Sequence, residues 1–145
     1  CSIGKRGIKY KKKEGDKVTP KGIFKIKCIY YRKDRIPTLP TKIKKVVINK
    51  NMGWCDDPNS NHYNKLIKFP FKYSAEKLYR KDNIYDIILV LSFNMNPIIR
   101  KKGSAIFIHI AKKSFSKTMG CVAINKQDMK KILKLIDKKT TVKIT

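Results

Sequence analysis

Eleven residues separate His109 from Cys121 in the stretch Gly103 to Asn125, GSAIFIHIAKKSFSKTMGCVAIN. These two residue types can make a thiolate nucleophile. A free thiol, with a pKa of about 8.5, is mostly protonated at neutral pH. A neighbouring imidazole that takes its proton, or stays beside it as a cation, raises the thiolate fraction. Histidine suits the task because its unperturbed pKa is about 6.5. Gly120 allows a backbone turn just before the cysteine, and the successive N–H groups of Gly120 and Cys121 can then point at one spot where a tetrahedral oxyanion would form. The chemistry of such a site is acyl transfer. The competing reading is structural: a cysteine after glycine is often a small core hydrophobe, and a histidine on a strand is often a hydrogen-bonded packing residue.

Something rigid must aim these groups. Ser104 to Ile110 alternates as a half-buried strand does, which puts Ala105, Phe107 and His109 on one face and Ile106, Ile108 and Ile110 on the other. A polar, basic loop follows and ends in Thr118-Met119-Gly120-Cys121; Thr118 can hydrogen-bond near the thiol or be a plain loop hydroxyl. Val122 to Ile124 reads as the next strand, so the thiol sits at a loop-to-strand junction. Asn125 as N-cap, with Asp128 three residues on, opens a helix whose Met129, Ile132, Leu133 and Ile136 form one apolar stripe. Lys138 and Lys139 suit its C-terminal end, and Thr141 to Thr145 closes the chain as a strand.

The earlier part of the chain is mostly strands as well. Gly22 to Tyr31 sets Phe24, Ile26, Cys28 and Tyr30 against Ile23, Lys25 and Lys27, predicting one buried face. Ile43 to Ile48 is strand-like after the interruption from Pro37 to Pro40, and Tyr85 to Phe93 reads as a central strand stopped by Asn94 to Pro97. Asn49 to Tyr63 reads as a long loop carrying Trp54, His62 and Tyr63. Trp54 can stack on a sugar or simply pack, and packing is its commoner use. His62 in a polar loop predicts a solvated side chain, and Asp56 and Asp57 predict a turn or a lysine contact. Ser74 to Leu78 is either a helical turn or irregular. No internal repeat or linker breaks the 145 residues, which bound most simply a single domain (1–145) with a trimmed N-terminus.

Thirty-six Lys and Arg against ten Asp and Glu give a net charge of +26. Such a field attracts polyanions and weakens with salt. The lysines are scattered rather than striped and no nucleic-acid-binding motif is present, so the charge points away from nucleic acid and toward another polyanion or an anionic surface, or else toward compositional bias. No apolar run is long enough for a membrane span. Cys1, Cys28, Cys55 and Cys121 lack Cys-x-x-Cys spacing, which argues against zinc. If Cys121 is the nucleophile, Cys1–Cys28 or Cys28–Cys55 can pair in an oxidising compartment, or all three stay reduced.

The segment from His109 to Thr118-Met119-Gly120-Cys121 resembles the catalytic motif of the L,D-transpeptidase catalytic domain (YkuD/ErfK) family. A second match lies upstream, where Asp16, Thr19, Pro20, Gly22 and Phe24 resemble the family's Thr-Pro-x-Gly-x-Phe/Tyr turn and strand. Further similarity, covering nearly the whole chain, runs through Arg32 to Arg35, Gly53 to Pro58, Tyr63-Asn64, Ser74 to Glu76 and Gly103 to Phe107. The chain departs from many members at Met119, where a second histidine is common, and at Ala123, where an arginine is common. Its His-to-Cys loop is also shorter.

The resemblance implies a predominantly β fold, a mixed sandwich or barrel with one docked helix near the C-terminus. It also implies an exported, periplasmic or envelope cysteine acyltransferase acting on peptidoglycan stem peptides without metal or cofactor. Cys121 would be the nucleophile, His109 the base and then the acid, and Gly120 and Cys121 the oxyanion donors. Thr118, Met119, Tyr63, Asn64 and Trp54 are expected to bind substrate or support the site. Transfer to an amine makes an L,D-transpeptidase and transfer to water an L,D-carboxypeptidase, while a non-catalytic basic module is the alternative of a different class.

Overall fold

A computed structural model describes residues 1–145. Its backbone is β-rich with a single helix near the C-terminus, as expected. The scaffold is a sheet built on β3 (Gly22–Tyr31), β8 (Ile87–Leu91), β9 (Phe107–Ile110), β10 (Val122–Ile124) and β11 (Thr141–Ile144), in the order β10-β9-β8-β3-β11, with β4 (Lys45–Val47) pairing alongside β3. A smaller sheet holds β5 (Met52–Cys55) between β6 (Leu66–Lys68) and β7 (Ala75–Lys77). Two short N-terminal strands, β1 (Ile8–Lys9) and β2 (Thr19–Pro20), pair in parallel.

The alternation of the central strands is explained by what covers each face. Ile87, Leu89 and Leu91 of β8 join Ile106, Ile108 and Ile110 in a core closed by Met129, Leu133 and Ile136. These last three come from the stripe of the helix α1 (Lys126–Leu135) and its C-cap, Ile136. Ile88 and Val90 face the other way, into a second core with Phe107, Tyr30, Trp54 and Met52. β8 is therefore buried on both faces, and its unbroken apolar run follows from that position. Asn125 caps α1 by accepting from the Asp128 N–H, as its sequence position predicts.

Several expectations are corrected. β3 spans the predicted residues, but its pairing with β8 shifts register between Ile26 and Cys28, and beyond that shift Ile29, Tyr30 and Tyr31 are all buried. The single buried face holds only for the first half, because both layers cover the second. The region from Asn49 to Tyr63 is not one loop: Met52 to Cys55 is a fully buried strand. Asn, Asp and Gly around it obscured four residues that a sheet partner on each side holds extended. Residues Ala75 to Lys77 are a strand for the same reason, neither helical nor irregular. β9 starts only at Phe107, since Ala105 has φ +53° and turns out of the extended conformation.

Candidate active site

β9 and β10 run parallel, with Val122 opposite Ile108 and Ala123 opposite His109. One step back, Cys121 lies beside Phe107, whose N–H donates to Sγ at 3.4 Å. Strand alternation then puts the Cys121 thiol and the His109 imidazole over the same face of the sheet. Both line one cavity of about 850 Å³. That face is the second core, not the helix side, and Ala105 and Cys121 pack at its edge.

Hydrogen bonds fix the state of each group. His109 Nδ1 lies 3.0 Å from the Ile110 carbonyl, which can only accept, so Nδ1 carries the hydrogen and Nε2 is left with a lone pair. Burial pulls the imidazole pKa below 6.5, the Ile110 contact opposes that, and Arg80 and Asp82 act in opposite directions. The Cys121 Sγ–H donates to the Ala105 carbonyl at 3.1 Å. Burial pushes this thiol up to about 12, the Glu76 carboxylate adds to the rise, and the Phe107 N–H and Lys11 pull weakly the other way. The resting pair is therefore a neutral thiol and a neutral imidazole. Of the two ways a histidine can activate a thiol, proton transfer to a neutral base is the one this electrostatics favours.

The turn carrying Cys121 is braced from the far end of the chain. Thr19, fully buried, donates to the Gly120 carbonyl at 2.8 Å and accepts from the Gly4 N–H. Ser2 bonds in both directions with Ala123, and Ile3 and Lys5 hold the backbone of Thr118. Asp16 shapes the approach to Thr19 by accepting from Val18, Lys12 and Lys13 N–H groups and from Lys11. Burial alone would raise its carboxyl pKa, but these donors outweigh burial and hold it below the usual value. The upstream turn thus works as a clamp on the loop that ends in Cys121.

Thr118 Oγ1 accepts from the Gly120 N–H at 3.1 Å and donates to the Cys121 carbonyl at 2.6 Å. The Gly120 N–H is thus already occupied, and of the two expected oxyanion donors the Cys121 N–H is the free one. Gly120 itself has φ +144°, and a Cβ there would meet the Val18 carbonyl oxygen at 3.0 Å. Gly120→Ala should therefore cost about 1–3 kcal/mol of stability through backbone strain. It should also slow alkylation of Cys121 markedly; thermal melting and iodoacetamide labelling check both parts.

Tyr63, Asn64 and Trp54 are buried and stand behind the cavity wall. Asn64 Oδ1 accepts from Trp54 Nε1–H at 3.0 Å and from the Ala105 N–H at 3.1 Å, while its amide donates to the carbonyls of Phe93 and Asn94. It thereby sets the residue whose carbonyl receives the thiol proton. Asn64→Ala leaves the buried Trp54 N–H and the half-buried Ala105 N–H without an acceptor, an expected loss of about 2–4 kcal/mol in urea unfolding. Tyr63 accepts from the Gly103 N–H at 2.8 Å and donates to Glu14. Trp54 packs edge-on against Phe107 and Tyr30.

Met119 is exposed at the cavity rim, His62 is exposed with its ring against Phe71, and Asp57 accepts from Asn59 and Ser74 N–H groups in a turn. Sequence reasoning passed over Tyr85, Glu76 and Arg80, which all line the cavity. Only Glu76, an isolated acid in a basic chain, hinted at them.

The chain is a β-rich domain with a thiol and an imidazole over one sheet face. A family model for the L,D-transpeptidase catalytic domain, YkuD, matches residues 1–144, and the chain belongs to that family. The family acts on peptidoglycan, and its members are typically cell-envelope enzymes. Comparison with curated proteins and with solved structures found no match. No helix is long and apolar enough to cross a membrane.

Proposed function

We propose that this domain is an exported L,D-transpeptidase that cross-links peptidoglycan stem peptides through a Cys121 thioester. The observation that carries the reading is the placement of Cys121 and His109 over one face of adjacent parallel strands, in one cavity of a YkuD domain. Cys121 Sγ attacks the carbonyl of the L-centre residue as its proton passes to His109 Nε2. The Cys121 N–H stabilises the oxyanion, joined by the Gly120 N–H if Thr118 releases it. Collapse breaks the C–N bond, and the terminal D-amino acid leaves with the proton from His109. An amine then attacks the thioester, the C–S bond breaks, and the thiol is restored.

Ala123 supplies no charge at the position where many members carry arginine. Arg80, Lys112 and Lys117 line the same cavity and can supply a positive group for a substrate carboxylate. The wider excess of lysine suits an anionic envelope polymer as surroundings. The domain as a unit is proposed to span residues 1–145.

Incubation with disaccharide-tetrapeptide, followed by mass spectrometry, tests the reading. A cross-linked dimer lacking one D-alanine is the expected product. Tripeptide alone would make the domain an L,D-carboxypeptidase, and unchanged substrate with salt-sensitive polymer binding would make it a non-catalytic module.

A further inference from the structure

The Ile110 carbonyl holds one nitrogen of His109 but leaves the imidazole free to pivot about that bond. Tyr85 stands against the ring. Its ring centroid lies 5.3 Å from that of His109 at an interplanar angle of 75°, an edge-to-face contact. The Tyr85 ring is itself held on every side. Phe107 meets it edge-on at 6.2 Å, the Arg80 guanidinium sits 5.3 Å over it, and the hydroxyl donates to Glu76 Oε1 at 2.6 Å. The next residue, Asp86, is buried and paired with Arg35 and Lys126, which anchors the backbone that carries Tyr85. Only 4% of Tyr85 is exposed, yet it lines the cavity beside the thiol.

We propose that Tyr85 is a positioning residue for His109, its ring forming the wall that keeps the imidazole on the cavity face it shares with the Cys121 thiol and keeps water away from it. This rests on Cys121 and His109 being the reactive pair, but not on peptidoglycan being the substrate. The ring does this work, while the hydroxyl serves to seat it on Glu76. A base that can swing loses rate because few of its orientations meet the proton it must take, and the loss is independent of which acyl donor is bound.

The test uses iodoacetamide on the whole chain, with Tyr85→Leu, Tyr85→Phe and, should leucine fail to fold, Tyr85→Met, which fills similar space without a flat wall. The charged and titratable groups around the imidazole are Cys121, Arg80, Asp82, Glu76 and Lys112; none is replaced in these variants, and the loss of the Tyr85 hydroxyl from Glu76 is common to all three. Alkylation of Cys121 should fall about tenfold in Tyr85→Leu, and Tyr85→Phe should restore it to within about twofold. Burial lowers the His109 pKa, so opening the wall to water should raise it toward 6.5. The acid limb of the alkylation profile and the NMR titration of the His109 ring should then move together to higher pH.

A lower rate with an unmoved imidazole titration would overturn the proposal, as would a phenylalanine variant that behaves like leucine. Absence of a nuclear Overhauser contact between the Tyr85 and His109 rings in the unaltered protein would overturn it without any variant. If the unaltered protein shows no acid limb at all, the reactive pair itself falls, and this inference with it. A profile that behaves as expected in a protein inert toward stem peptides would leave the inference standing and remove only the substrate.

Discussion

Cys121→Ala is expected to abolish release of the terminal D-amino acid and formation of cross-links, with a loss of at least about 10⁴-fold in turnover of disaccharide-tetrapeptide. The size follows from covalent catalysis: without Sγ there is no thioester, and the cavity retains only binding and whatever stabilisation its N–H groups offer a bound water. The fold should survive, because the lost contacts are few. Sγ–H donates to one carbonyl, that of Ala105, and Sγ accepts from one N–H, that of Phe107. Circular dichroism of the variant together with product analysis checks both halves. Cys28 and Cys55 cannot substitute: Cys28 sits on β3 and Cys55 on β5, and neither lines the cavity.

His109→Gln should lower turnover by about 10²–10⁴-fold, the usual range for losing a positioned acid–base group. Its pH signature is the sharper part. In the unaltered protein the imidazole is held below 6.5 by burial, which leaves it neutral and able to accept a proton at neutral pH, and activity should fall only as pH drops through that lowered value. Glutamine cannot titrate, and the acid limb should vanish. At high pH the variant's Cys121 alkylation should keep climbing, because burial holds the thiol up at about 12 and no neighbouring base remains to assist. Stability moves with the same sign. A histidine with a depressed folded pKa binds fewer protons than the unfolded chain, so its contribution is full above about 6.5 and is lost as pH falls below it. Activity against pH, compared for the two proteins, checks the prediction; an acid limb that persists in the variant would assign it to another group.

Much of this site was readable from residue order, and the reasons are local. Alternation from Phe107 to Ile110 told which face the histidine takes, because side chains on a strand alternate whatever the surrounding fold. The two faces indeed enter two different cores. Asn125 with Asp128, and the stripe through Met129 and Leu133, marked the helix equally well, since caps and 3.6-residue spacing are properties of the segment itself. β3 was legible to its ends, but its second half was read as one-sided when two layers cover it, a fact that belongs to distant parts of the chain.

The remainder depended on contacts that sequence spacing does not carry. Thr19 reaches Gly120 across 101 positions, and Ser104 reaches Glu14 across 90. Trp54 sits in a strand among turn-forming residues because β6 and β7 pair with it, a tertiary effect that overrides local preference. Tyr85 was absorbed into an apolar run as a strand residue, whereas it precedes β8 and turns its ring toward His109. Gly120 was expected to lend its N–H to an oxyanion, and the hydroxyl of Thr118 two residues earlier occupies it instead. A Ser or Thr two positions before an N–H is a common local competitor, so that contact was the one most open to anticipation.

The central claim is that Cys121 becomes acylated by a stem peptide with His109 as its base. Intact-protein mass spectrometry during turnover of disaccharide-tetrapeptide, quenched in acid and followed by peptide mapping, tests it most directly. The account predicts an adduct equal to the donor less its terminal D-alanine, carried on the Cys121 peptide, released by hydroxylamine and absent from Cys121→Ala. An adduct on another residue, or cross-linked product formed equally by Cys121→Ala, would contradict it.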